Sequence, residues 1–289
     1  MLTLGGLAFL LACVFGSFVA SGGAIGPLIA SMPFELLTIL GAAIGTFIMA
    51  NSMHDVKHTL AGFGMILRGE RYKKTDYVDL LSLLYWFTRL ASQRGAMALE
   101  PHIEKPDESA AFKHFPKILA NHHTSGFICD YMRMIGMNAD DPHQIEDVMA
   151  RELKKTLAEE MHGSHAIQTM ADALPALGIV AAVLGVIKTM GHINEPPAVL
   201  GEMIGGALVG TFLGVLLAYG MAAPCASRLA AIVVADSKYN EVIRAVLVAH
   251  LHGNAPQVSV ETGRKMVPNE HMPSFPELEQ ALQALQIAA

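Results

Sequence analysis

Four apolar stretches in this 289-residue sequence come close to the length that a membrane-spanning helix needs. A bilayer core of about 30 Å requires roughly 20 helical residues, because a backbone group without a hydrogen-bond partner is costly in lipid. We therefore predict an all-α integral membrane protein with four transmembrane helices. The predicted spans are residues 2–20, 36–50, 173–190 and 203–223.

The overall composition agrees with a membrane location. Hydrophobic residues make up 52% of the chain and charged residues 16%, and the mean hydropathy is +0.40, which is too apolar for an ordinary soluble domain. The net charge is −6 and no run of basic residues is dense enough to follow a phosphate backbone, so the expected partner is the lipid bilayer and not nucleic acid. The three cysteines form no CxxC pair, and we expect no metal and no cofactor.

The first stretch has a second interpretation, a cleaved secretory signal. Such a signal carries basic residues ahead of its apolar run, and none precedes Leu2. We therefore expect a retained span.

Basic residues are divided unequally among the connecting segments. Fourteen of the 20 lysines and arginines lie between Asn51 and Asp172, five follow Ala223, and Lys188 lies at the far end of the third span. Because cytoplasmic segments carry the excess of positive charge, both termini and the long loop are predicted to be cytoplasmic.

This orientation divides the chain into four segments. Apolar residues recur at helical spacing in the long loop between the second and third spans, and Pro101, Pro106 and Pro142 are expected to end its helices. The predicted segments are a first transmembrane hairpin (1–50), a helical cytoplasmic domain (51–172), a second hairpin (173–224) and a cytoplasmic helical extension and tail (225–289).

The predicted spans have no carboxylate, histidine or arginine in their interior. Glu35 and Glu202 are assigned to span ends, and the long side chain of Lys188 can extend to the interface. Ionisable residues inside spans usually mark an ion path. If the chain handles ions, we therefore expect the titrating group to come from another chain.

Small residues recur in the spans at the spacing that lets helices approach closely. Packing within the chain explains any one of these faces, whereas three of them together favour a partner helix or further copies of the chain. The faces are Gly41 and Gly45 in the second span, Gly178, Ala182 and Gly185 in the third, and Gly206, Gly210 and Gly214 in the fourth.

Four segments carry a resemblance to a known family. They are residues 172–185 (DALPALGIVAAVLG), 208–220 (LVGTFLGVLLAYG), 98–104 (ALEPHIE) and 260–265 (VETGRK). Together they closely resemble MotA stator subunits of the bacterial flagellar motor, in the MotA/TolQ/ExbB superfamily, and the likeness covers nearly the whole chain.

The resemblance implies a stator subunit that forms a proton channel with a MotB dimer in the bacterial inner membrane. MotB would supply the ion-accepting aspartate and the peptidoglycan anchor. Five copies of the chain would surround it, and charged loop residues would engage the switch protein of the rotor C-ring to generate torque.

Two other functions fit the sequence less well. An energiser of the TolQ or ExbB kind, which drives an outer-membrane process, has its loop after the first of three spans, whereas two spans precede the loop here. An enzyme is not expected, because the sequence has no nucleophile–base arrangement, phosphate loop or HExxH motif.

The resemblance also implies the residues of the ion pathway. Pro175 and Pro224 match prolines that the family has beside the ion site and near the end of the fourth span. Without the resemblance, Pro175 would be read as a first-turn proline after an Asp172 cap. Sodium-type relatives carry a threonine seven residues after the first proline, where Ala182 lies here. Thr211 matches a threonine that both ion types have, so the proton is the expected ion and sodium the less favoured one.

The residues expected to engage the rotor lie in the long loop. Glu100 matches the torque-generating glutamate of the family. Its companion arginine would lie three residues before Gly95, where this chain has Ser92, and Arg89 and Arg94 are the nearby arginines. Arg94 is the favoured candidate. The other interpretation for each charge is a solvated surface group.

Overall fold

The computed structural model describes residues 2–137 and 141–285, and all regular elements within these ranges are helical. Four helices are long and apolar enough to cross a membrane, as predicted. A 3₁₀ turn, Ala96–Leu99, follows α4, and a π-helical turn, Ala218–Ala222, joins α10 to α11. The helices are α1 (Leu2–Ala20), α2 (Ile25–Ala50), α3 (Met53–Arg68), α4 (Lys74–Arg94), α5 (Glu100–Glu104), α6 (Ala110–His114), α7 (Pro116–Ala120), α8 (His122–Gly136), α9 (Pro142–Met190), α10 (Pro197–Leu217), α11 (Ala223–Leu251), α12 (Pro256–Met266) and α13 (Phe275–Gln283).

The second span is longer than its sequence indicates. Helix α2 begins at Ile25, eleven residues before the predicted start at Leu36. Pro27 lies in the first turn, where its missing N–H has no helical acceptor to lose. Pro33 removes one interior hydrogen bond, and extensive packing of α2 along α10 compensates for that loss. Residues 25–35, which lie outside the predicted span, are therefore helical.

The third span is part of a single 49-residue helix, α9. Its predicted end near Met190 is confirmed, and the charged segment 147–160 continues into the span without a break. Pro175 is therefore an interior proline, and the interpretation as a first-turn proline after an Asp172 cap is wrong. The Asp172 carboxylate accepts a hydrogen bond from Gln168 Nε2 at 2.8 Å on the same helix.

Prolines begin helices in this chain more often than they end them. Pro197 is the first residue of α10, six residues before the predicted start of the fourth span, and Pro142 is the first residue of α9. Pro101 lies in the first turn of α5. A first-turn proline needs no N–H acceptor, and its fixed φ angle suits the helix.

The chain divides into two compact units. The first comprises Met1–Gly69 and Glu160–Ile232 and contains the four apolar helices. Its core consists of residues from α2, α9 and the α10–π-turn segment: Ile39, Ala43, Leu174, Ala181, Val209, Leu213 and Ala218. Below this core, Gly62 of α3 lies against Leu229, and Ser164 Oγ donates to the Ala226 carbonyl at 2.9 Å.

The second unit comprises Glu70–Glu159 and Val233–Ala289, and its core is built around α4. Helices α12 and α13 pack on α4, and the tail segment 260–265 lies in α12. A Cβ atom on Gly263 would overlap Val246 Cγ2, so the residue at this position must be small. Arg264 is 6% exposed, pairs with Glu261 and donates to the Pro273 carbonyl at 2.9 Å. These tail residues therefore hold the second unit together.

Candidate functional site

Helices α9 and α10 cross at glycines, so that backbone meets backbone. A Cβ atom on Gly178 would lie 2.8 Å from the Gly210 carbonyl oxygen and 3.0 Å from Gly214 Cα. Farther along, a Cβ on Gly185 would lie 2.6 Å from Ala207 Cβ. Only glycine permits this approach, so these faces of the third and fourth spans serve packing within the chain.

Three of the four predicted pathway residues lie along this crossing. The Leu174 carbonyl, next to Pro175, faces Gly214. The backbone nitrogen of Ala182 faces Gly210, and Thr211 is the next residue of α10. Thr211, Ala182 and Pro175 are all half-buried. Pro175 has no N–H for the Ala171 carbonyl, which leaves one polar backbone group inside the span.

The crossing allows a direct test with Gly178→Ala. We expect the added methyl group to destabilise the first unit by about 1–3 kcal/mol, because backbone atoms of α10 cannot yield as a side chain can. Thermal unfolding of the detergent-solubilised protein measures this loss. Gly126→Ala in α8 is the matched control, since nothing lies within 4 Å of the new Cβ and alanine favours a helix. Equal stability of the two variants would contradict the tight crossing.

Pro224 lies elsewhere, beside the π-helical turn Ala218–Ala222. The proline cannot donate to the Gly220 carbonyl, and the N–H of Ala223 bonds to the Ala218 carbonyl with π-helical spacing. Pro224 is exposed and is thirteen residues beyond Thr211. The structure therefore does not bring Pro224 to the crossing, but associates it with a local change in helical winding.

The expectation that no carboxylate lies inside a span is wrong. Glu35 is the eleventh of the 26 residues of α2, and its side chain reaches the middle of α10. A Cβ on Gly210 would lie 2.7 Å from Glu35 Oε2 and 3.1 Å from Ala181 Cβ. The early start of α2 is the reason for the error, because it moves Glu35 from the end of the span to its interior.

The predicted rotor-engaging residues lie on the surface of the second unit. Arg89, Arg94 and Glu100 are exposed, and within 2–137 and 141–285 their side chains have no hydrogen bond or ion pair. Arg94 ends α4 immediately before Gly95, whose φ of 80° turns the chain toward α5. Arg89 instead lies in a groove with Glu261 and Glu279, beside the C-terminal helices. The arrangement leaves Arg94 and Glu100 on either side of one sharp turn.

The neighbouring acidic residue Glu104 has a structural partner. Arg133 of α8 donates to Glu104 Oε1 at 2.7 Å and to Asp130 Oδ1 at 2.8 Å. The hydrogen bond to Glu104 raises the pKa of the Arg133 guanidinium above its ordinary value. Leu99 and Ile103 are buried between these charges. The segment 98–104 therefore combines core residues, one paired glutamate and one glutamate, Glu100, that is open to solvent.

Comparison with known families gives two matches along the chain. Residues 4–95 match the family "Motility protein A N-terminal", and residues 119–241 match the "MotA/TolQ/ExbB proton channel family". Motility protein A of Escherichia coli (strain K12) is 40% identical over 99% of this chain and 96% of its own length. Chemotaxis protein LafT of Vibrio parahaemolyticus is 32% identical over 96% of each chain.

Two solved structures share the fold. A chain of C. jejuni MotAB superposes with a TM-score of 0.72 and 18% identity, covering 93% of this chain and 96% of that one. A chain of the flagellar MotAB stator complex from Bacillus subtilis superposes with a TM-score of 0.71 and 22% identity, covering 96% and 98%.

Fold and crossing together define a membrane channel subunit of the MotA/TolQ/ExbB type, with two apolar hairpins on either side of a long helical insert. The chain belongs to the motility protein A family. It is a flagellar stator subunit of that proton channel family and not an enzyme. The alternative of a TolQ- or ExbB-like energiser is disfavoured, because the motility protein A match extends over the first hairpin.

Proposed function

We propose that this chain forms, with a MotB dimer, a proton channel that converts ion flow into torque on the rotor C-ring. The channel lies in the bacterial inner membrane, with both termini and the segments 51–172 and 225–289 in the cytoplasm. The distribution of lysine and arginine supports this orientation. The partner is supported by the two structures of like fold, which are both MotAB complexes.

The observation that carries this proposal is an apolar face of α9 that the chain itself leaves uncovered. Five large aliphatic residues on the span are each 51–61% exposed, although the opposite face packs closely on α10. A single-span partner helix suits such a face. The residues are Ile179, Val180, Val183, Leu184 and Ile187.

We propose a pentamer for the copies of this chain. Helix α2 supports self-association, because Gly41 and Gly45 are exposed and nothing lies within 4 Å of a Cβ placed on either. The small-residue faces of α9 and α10, in contrast, already have contacts within the chain at Gly178, Gly185, Gly206, Gly210 and Gly214. A neighbouring copy can therefore approach α2 closely without displacing an internal contact.

Within the channel, Pro175, Ala182 and Thr211 line the ion pathway and Pro224 permits bending below it. The Ala171 carbonyl, which Pro175 cannot bond, and the Thr211 hydroxyl are oxygen atoms beside Ala182, and Ala182 itself adds none. Sodium needs several oxygen ligands, whereas a proton needs one titrating carboxylate and a short chain of water or hydroxyl groups. The methyl group of Ala182 therefore favours the proton as the coupling ion.

The test is ion flux through the purified chain in liposomes, with and without MotB. We expect proton flux only when MotB is present, because the lone carboxylate of α2 makes no continuous path across the membrane. MotB with its membrane aspartate changed to asparagine is the control and should abolish the flux. Proton flux through this chain alone would contradict the proposal that conduction requires the MotB aspartate.

A second experiment, on swimming cells, identifies the coupling ion. Swimming speed should be independent of external sodium at fixed pH and should fall to zero with a protonophore. Speed that rises with sodium and survives the protonophore would show a sodium channel, and Ala182 would then not mark a proton pathway.

A further inference from the structure

We propose that Glu35 is a second proton-binding carboxylate of the channel, located in the wall formed by α2, α9 and α10. The inference rests on the proposed proton coupling. It assigns a role to a residue of this chain, in addition to the carboxylate that the partner supplies.

The position of Glu35 is the first argument. The residue is about 15 Å along α2 from Ile25, and Oε2 lies over Gly210, the fourteenth of the 21 residues of α10. The carboxylate thus lies well inside α2 and opposite the middle of α10, two helices that are long and apolar enough to cross a membrane. Ionisable groups at such depth are rare, because lipid solvates charge poorly, and they usually face a cavity, a partner group or a proton path.

The second argument is a polar track along the groove between α2 and α10. Ser31 lies one helical turn before Glu35, and its Oγ faces Gly206 just as the Glu35 carboxylate faces Gly210. A carboxylate and a hydroxyl therefore follow each other toward the Ile25 end of α2, each opposite a glycine of α10. Thr211 is the residue after Gly210 and lies at nearly the same height along α10, about 100° around the helix.

The third argument concerns charge. Lys188 is the charged group of α9 within electrostatic reach of Glu35. Lys188 lies six residues beyond Ala182, or about 9 Å along the helix. The other titratable groups lie farther along the helices. Glu202 precedes Gly210 by two turns of α10, and α2 has no other ionisable residue. Glu35 therefore has one nearby countercharge, and within the described residues its carboxylate has no hydrogen-bond donor.

These features suit a group that alternates between the protonated and the ionised form. The protonated form is tolerated in the apolar groove, and the ionised form is stabilised by the Lys188 ammonium group. The balanced step is a proton transfer: a proton from water at the Ser31 end binds a Glu35 oxygen and later leaves to water or hydroxyl groups at the Thr211 level.

Two substitutions test this role in swimming cells. Glu35→Gln keeps the shape and the hydrogen-bonding capacity but cannot titrate, and we expect at least about fivefold lower speed with a flattened dependence on external pH. Glu35→Asp should retain a pH dependence with a displaced midpoint. Glu202→Gln is the matched control and should behave as the wild type. An unchanged speed and pH profile in Glu35→Gln would assign Glu35 to packing and overturn the proposal.

Carbodiimide labelling gives a readout that does not require a working motor. Dicyclohexylcarbodiimide enters lipid and reacts with protonated carboxyl groups, so mass spectrometry of the purified chain should find the adduct on Glu35 and not on Glu202. Labelling should titrate with pH, and Lys188→Gln should displace its midpoint. No adduct on Glu35 from pH 5 to 9 would overturn the inference. A sodium-driven motor with a titrating Glu35 would instead overturn only the proposed coupling ion.

Discussion

Replacing Glu100 by lysine should lower swimming speed by roughly tenfold while the protein still reaches the membrane in normal amounts. The side chain is exposed and has no internal partner among the described residues, so reversal of its charge changes an external interaction and not the fold. Opposite charges that meet across an interface then become like charges, which disfavours the contact. Tracking of free-swimming cells measures the speed, and immunoblots of membranes measure the amount of protein.

Asp107→Lys is the matched control for this substitution. It makes the same change in net charge on the same segment, at another exposed position without an ion pair among the described residues, and should leave speed within about twofold. Arg94→Glu compared with Arg89→Glu identifies the companion arginine, and we expect the larger loss for Arg94. Normal motility of the Glu100→Lys strain would make Glu100 an ordinary solvated charge.

Pro175→Ala should reduce rotation by about tenfold and yet stabilise the protein. Alanine restores the hydrogen bond to the Ala171 carbonyl, and an interior proline costs a helix about 3 kcal/mol. An interior proline favours bending of a helix, and alanine removes that tendency beside the crossing. A tenfold fall in rate corresponds to about 1.4 kcal/mol in the barrier. Thermal unfolding and rotation speed, measured on the same variant, should change in opposite senses.

Pro33→Ala is the control for the second prediction. It also replaces an interior proline of a long apolar helix, but Pro33 is exposed on α2 and does not lie at the α9–α10 crossing. We expect stabilisation without loss of rotation. A Pro175→Ala variant that fails to insert into the membrane would show that this proline is needed for folding and not for motion.

Hydrophobic length predicted the spans well wherever apolar residues were uninterrupted. Leu2–Ala20 agrees at both ends and α9 agrees at Met190, because these limits follow from the cost of burying polar groups in lipid. The start of α2 could not be predicted in this way. Pro27 and Pro33 read as breakers, and only the packing of α2 on α10 shows why the helix tolerates them.

The same error concealed Glu35. A signal was present in the sequence, since Ser31 and Glu35 are four residues apart, as are Gly206 and Gly210. This equal spacing predicts that the polar face of one helix packs on the glycine face of the other. The prediction can be made only once both segments are known to be helical. The proposed rotor-contact residues had no such signal. Glu104 is paired because Arg133, 29 positions farther along the chain, donates to it, whereas Glu100 has no such partner among the described residues.

The glycine crossing of α9 and α10 has a mechanical consequence. Most helix pairs interlock through ridges of side chains, so that sliding one helix along the other requires each side chain to leave its groove. At Gly178, Gly210 and Gly214 there are no side chains to interlock. The two helices resist separation through close backbone contact, but offer little friction to a small axial shift. A small axial shift of α10 along α9 therefore needs no rotamer change at these three glycines, which suits the proposed conversion of ion flow into motion.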